Sequence, residues 1–193
     1  MKYFICLFFF LAIYSYAIAQ NSRFTFDAGP EYPFGLPNPE APPQITDWSE
    51  MIGECDCLSI KRNQDGSWSD STAMVWRFTY IMNGFGVQDE TLKNDGIHSG
   101  SIRQFSADSA RWYVHYYSSG SVVASLPAWE GNRIDDQTIV LYKPQTAPNG
   151  MDGFYKISFT EISKEGFNWL GEWVNIDESI AFPTWKIFCN KRM

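Results

Sequence analysis

Val75-Trp76-Arg77-Phe78-Thr79-Tyr80-Ile81-Met82-Asn83-Gly84 is the stretch on which the fold turns. Read with a two-residue period, it separates into a bulky uncharged face (Trp76, Phe78, Tyr80, Met82) and a mixed face (Val75, Arg77, Thr79, Ile81). Such alternation belongs to a half-buried strand whose uncharged face points inward. Asn83-Gly84 suits a two-residue type I′ turn, which needs positive φ at both central positions. That turn pairs Met82 with Phe85. Paired residues share a face, so Phe85, Val87, Asp89 and Thr91 follow inward.

The same logic runs down the chain. A three-residue loop at Asn94-Asp95-Gly96 pairs Lys93 with Ile97 and turns Ser99, Ser101, Arg103 and Phe105 inward. A four-residue loop at 107–110 pairs Phe105 with Trp112, and Val114 and Tyr116 follow. The inner surface thus predicted is an aromatic wall (Trp76, Phe78, Tyr80, Phe105, Trp112, Tyr116) carrying Ser101 and two charges. Asp89 sits opposite Ser101 and diagonal to Arg103, within reach of it. A lone buried charge is expensive, so the two are expected to satisfy one another. Polar groups inside an apolar lining are what orients a guest in a pocket. These nine residues are therefore the candidate ligand-binding set. A closed, hydrogen-bonded core with no room for a guest is the alternative, and the pattern of faces does not separate the two.

From Glu54 onward, short segments rich in Val, Ile, Thr and aromatic residues alternate with turn clusters. Ten strands are expected at 54–62, 68–82, 85–93, 97–105, 111–118, 121–129, 134–143, 154–163, 167–176 and 181–189, with Glu130-Gly131-Asn132 among the turns. Tyr155, Ile157 and Phe159 read as in phase with Leu170, Val174 and Ile176, leaving Trp169 and Trp173 on the other face, with the inside undecided. The fold class is all-β. Short connections favour an antiparallel up-and-down barrel of about ten strands over a two-sheet sandwich, because Greek-key sandwiches need long crossings and closure removes exposed edges.

The N-terminus reads differently. Lys2, an apolar run from Phe4 to Ile13 and the small residues of Ala17-Ile18-Ala19 describe a signal peptide over 1–19, cleaved near Ala19. Residues 20–44 form a proline-rich extended leader (Pro30, Pro33, Pro37, Pro39, Pro42, Pro43), a tether or strap over the body. The β-barrel domain is 45–193, opening with a helical turn or two over 45–52, capped by Thr46 or Asp47, with Trp48, Met51 and Ile52 on one face. The expected product is secreted or periplasmic, without a membrane span. Cleavage removes one lysine and no acid, taking the formal charge from −7 to −8. With 15 Lys+Arg against 22 Asp+Glu, the charge balance argues against a nucleic-acid partner, and none is expected.

Cleavage also removes Cys6, leaving Cys55, Cys57 and Cys189 in an oxidising compartment. Cys55 or Cys57 is expected to bridge to Cys189. A zinc-compatible set from the three thiols and a histidine would need distant segments to converge, and Cys-x-Cys is not a usual paired-ligand spacing. His98 and His115 fall on the outward side, and no Gly-x-Ser-x-Gly is present, which argues against a nucleophilic hydrolase. Asp89-Glu90 with Glu172 would suit glycoside cleavage, but Glu90 and Glu172 read more simply as solvent-facing strand charges. Asp65-Gly66-Ser67 reads as a turn rather than a calcium loop. No catalytic residue, metal site or cofactor is assigned, and an enzyme is the less favoured class. Trp68 and Trp129, beside turns, are the candidate exposed platforms for a carbohydrate-binding alternative.

The run from Trp76 to Gly84, with Val87-Gln88-Asp89-Glu90, Ser101-Ile102-Arg103-Gln104-Phe105 and Trp112, resembles a family of uncharacterised secreted bacterial proteins related to lipocalin-like (calycin) β-barrels. The similarity spans roughly residues 45–190. It implies a closed barrel with an internal small-molecule site and no established activity. The leading expectation is an exported lipocalin-like barrel that binds a small, partly apolar molecule, lipid-like or aromatic. A carbohydrate or surface-recognition module and an enzyme acting in the barrel lumen are the rivals.

Overall fold

The computed structural model describes residues 24–192; the expected signal peptide lies outside the described residues. Ten strands follow one 3-10 segment, Pro43–Met51: β1 (Gly53–Lys61), β2 (Thr72–Ile81), β3 (Gly86–Leu92), β4 (Ser99–Ser106), β5 (Arg111–Ser118), β6 (Ala128–Asp135), β7 (Thr138–Pro144), β8 (Gly153–Thr160), β9 (Gly166–Asn175) and β10 (Ala181–Lys191). Each strand pairs antiparallel with its neighbours in sequence, and β1 pairs with β10, so the sheet is a closed up-and-down barrel. Closure leaves no edge strand exposed to other chains.

Through β2–β5 the register is the one the turn lengths predict. Phe78 lies opposite Asp89, Asp89 opposite Ser101, and Phe105 opposite Trp112. The β2–β3 turn differs in form. It spans four residues, with Met82, Asn83 and Gly84 all at positive φ (55°, 52° and 79°). Met82 and Phe85, expected inward, are exposed. The leader docks on this loop: Asn83 N–H donates to Asp27 Oδ1 at 2.7 Å, and Asn38 Nδ2 donates to the Asn83 carbonyl at 3.0 Å. Tyr80 N–H donates to Phe34 O at 2.8 Å. A Cβ on Gly84 would lie 2.5 Å from the Asn38 nitrogen, so the close crossing of the strap needs glycine there.

Two expectations are corrected. The segment 121–129 is mostly loop, and β6 begins at Ala128, so Glu130-Gly131-Asn132 lies inside a strand. Val122, which looked like strand, is 94% exposed. Gly131 serves strand packing: an added Cβ would stand 2.0 Å from the Val140 carbonyl oxygen of β7. Gly131→Ala is therefore expected to lower stability by about 1–3 kcal/mol, as overpacking does, read as a lower urea midpoint; an unchanged midpoint would return Gly131 to an open turn. Between β8 and β9, Phe159 pairs with Trp169, Ile157 with Gly171 and Tyr155 with Trp173, so the tryptophans share the face of Tyr155 rather than opposing it.

The helical turn at 45–52 is a 3-10 segment with no side-chain cap; neither Thr46 nor Asp47 caps it, and Pro42 holds the cap position. Its buried residues, Ile45, Trp48 and Met51, recur every third position as the 3-10 period requires. Ile52, expected on that face, is only partly buried. The segment plugs the barrel end formed by the start of β1 and the end of β10. Trp112 Nε1 donates to Asp47 Oδ2 at 2.9 Å, Arg133 Nη1 to Asp47 O at 2.7 Å, and Lys191 Nζ to Glu50 O at 2.6 Å. Cys57 is bonded to Cys189, which selects between the two expected bridges and takes two of the thiols a zinc set would need. Cys55 is free and buried. Cys57 and Cys189 are directly opposite across β1 and β10, so the bridge joins the strands that close the barrel.

Candidate functional site

Strand alternation directs one side chain in two into the barrel, and the plug fills only one end. Trp48 stacks edge-on against Trp112 at 5.7 Å and Phe159 at 5.3 Å. Phe105 packs on Trp112 at 5.6 Å. Phe78 and Trp112 are fully buried, and Tyr80 nearly so. Burial, joined by the nearby Glu50 carboxylate, pushes the Tyr80 phenol up to about 12. This half of the interior is a packed aromatic core.

Above it lies a cavity of about 330 Å³, within the size range of small-molecule sites. Its floor is the Asp89–Arg103 pair. Arg103 is 1% exposed and Asp89 2%, and Arg103 Nη1 contacts Asp89 Oδ2. The contact is an ion pair without aligned hydrogen bonds: Asp89 Oδ2, Arg103 Nη1 and Arg103 Nε have no hydrogen-bond partner. The guanidinium carbon also lies 4.5 Å from the centre of the Trp48 ring and 5.0 Å from that of Phe78. These aromatic faces help to hold a buried cation.

One wall is polar, from β3 and β4: Thr91, Ser99 and Ser101. Thr91 Oγ1 and Ser99 Oγ share a hydrogen bond of 2.6 Å. Trp76 stands beside it, paired with Thr91 across β2 and β3, and the rest of the lining is aromatic: Trp129, Tyr155, Trp169 and Trp185. Trp185 Nε1 donates to Ser59 Oγ at 2.8 Å, and Tyr155 shares a bond of 2.9 Å with Thr184. The indole N–H groups of Trp76 and Trp129 are buried without a partner. At the rim opposite the plug stand Lys93, Tyr116, Lys143 and Gln145. Lys143 Nζ lies 3.7 Å over the Trp129 ring, and burial lowers its pKa from the usual lysine range.

Of the nine candidate residues, Trp76, Asp89, Ser101, Arg103 and Tyr116 line this cavity. Tyr116 is at its mouth and 42% exposed. Phe78, Tyr80, Phe105 and Trp112 belong to the packed half below. Sequence reasoning missed Trp129, Lys143, Tyr155, Trp169 and Trp185. A usable signal existed for β9: Phe167, Trp169, Gly171 and Trp173 carry no charge, whereas Asn168, Leu170, Glu172 and Val174 include one.

The other candidates resolve as follows. His115 Nδ1 and the Leu126 carbonyl are 2.8 Å apart on the outer side. Glu172, expected to face solvent, is 9% exposed, and burial raises its carboxyl pKa against the pull of Lys156. Trp129 is not a surface platform, because it lines the cavity. Trp68 is 37% exposed, but Lys186 Nζ lies 4.5 Å over its ring. Ser67 N–H donates to Asp65 Oδ1 at 2.9 Å, closing the Asp65-Gly66-Ser67 turn.

No protein-family model matches the sequence, and no curated protein matches it significantly. Among solved structures, a redesigned β-barrel aligns with a TM-score of 0.33 at 10% identity, over 75% of this chain and 94% of that one. No described helix is long and apolar enough to cross a membrane.

Proposed function

We propose that the protein is an exported, lipocalin-like barrel that binds a small, partly apolar molecule in its interior. One observation carries the reading: a cavity of about 330 Å³ with aromatic walls above a buried ion pair. A core filled for stability alone leaves no such void. A guest supplies the missing volume. Export is supported by the residues before Gln20 and by the Cys57–Cys189 bridge, since disulfides persist in oxidising compartments. The half-covered ring of Trp68 and the inward place of Trp129 weaken the carbohydrate alternative.

Four of the eight tryptophans line the cavity, so occupancy is expected to change indole emission. Titration of the purified protein with fatty acids, isoprenoids, haem and aromatic metabolites should give a saturable change for at least one class. Flat titrations throughout, together with a crystal structure whose barrel interior is packed or dry, would reject the proposal.

A further inference from the structure

We propose that the guest is an anionic amphiphile, such as a medium-chain carboxylate, bound with its apolar body against the tryptophan wall and its head at the rim beside Lys143 and Lys93. This rests on the reading of the cavity as a binding site and adds the polarity and orientation of what enters it.

Four charged side chains line the cavity: Asp89, Arg103, Lys93 and Lys143. The first two contact each other at the floor and cancel. The other two are both cations, and neither has a carboxylate within ion-pair distance among the described residues. Lys143 follows Tyr142 near the end of β7, and Lys93 follows the last residue of β3, so both stand at the open end of the barrel. Desolvating a cation without a counter-charge is costly. Lys143 is half-buried over an indole face, and desolvation is the only influence shifting its titration. A ligand anion supplies the charge that the protein omits there, although the chain as a whole carries −7.

The floor decides the orientation. A carboxylate pushed down to Arg103 would also meet the Asp89 carboxylate, already in contact with that guanidinium. At the rim no acid opposes it, since Asp89 at the floor is the one acidic residue of the lining. The tail then lies against Trp129, Tyr155, Trp169 and Trp185. At about 30 Å³ for each water-sized unit of liquid, the volume accommodates a guest on the order of ten heavy atoms.

The test compares heads on one tail. Decanoate, 1-decanol and decyltrimethylammonium are titrated into the purified protein by calorimetry and by indole emission. Decanoate is expected to bind about tenfold more tightly than decanol, as a charge-assisted contact implies, with the ammonium compound weakest. Lys143→Met should bring the decanoate-to-decanol ratio close to one, and Lys143→Arg should preserve it. Equal binding of decanoate and decanol, tightest binding of the cation, or a ratio untouched in Lys143→Met would each overturn the proposed polarity while leaving the cavity a binding site. Absence of binding by all three would overturn the anionic amphiphile as the guest, while the binding-site reading itself falls only if the isoprenoid, haem and aromatic titrations are also flat.

Discussion

Arg103→Met is expected to destabilise the barrel by about 3–5 kcal/mol, the usual penalty for stranding one partner of a buried ion pair. Methionine fills much of the space along the arginine stem, so the loss is electrostatic more than steric. Asp89, 2% exposed, would keep its carboxylate between the aromatic core and the cavity without its counter-charge. The faces of Trp48 and Phe78 would lose the cation they flank. The double variant Arg103→Met/Asp89→Leu should recover most of the stability, because an apolar pair of similar volume often replaces a buried ion pair at little cost. Urea unfolding of the wild type, the single variant and the double variant measures this directly. A single-variant loss under about 1 kcal/mol would show that water reaches the pair and that the floor is not dry.

Loss of the Cys57–Cys189 bridge is expected to cost about 4–5 kcal/mol in the chain-entropy account. The bonded residues are 132 apart in sequence, so the bridge constrains most of the unfolded chain. It also fastens the first strand to the last, where the barrel closes and no connecting turn holds the pair together. The double variant Cys57→Ser/Cys189→Ser avoids a new pairing with buried Cys55. Its unfolding midpoint should fall well below that of the oxidised wild type, and reductant should lower the wild type toward it. An unchanged midpoint in both experiments would mean that the unfolded chain is already compact near this pair.

The register from β2 to β5 was legible because each turn there has a length its residues specify, and a strand with one uncharged face has one sensible orientation. Asp89 and Arg103 could be brought together on those grounds alone. β6 was obscured by Val122-Val123, whose strand-like side chains sit in an exposed loop, and by Gly131, whose role is contact with β7 rather than turning. Misplacing β6 removed the means of facing Trp129 and Lys143. Trp185 was hidden differently: the β9–β10 register shifts between Pro183 and Trp185, which breaks the two-residue count. Whether the interior is hollow depends on how side-chain volumes sum across ten strands, and alternation carries no information on volume.

The bridge between the outermost strands also determines how the molecule responds to being pulled by its two ends. Force entering through the leader and leaving through the C-terminus passes across the sulfurs at 57 and 189, so the residues between them are bypassed and cannot unspool. What can yield is the strap and the 3-10 plug, which lie before Cys57 in the chain. Tension on an oxidised molecule would therefore uncork the closed end and leave the cylinder standing.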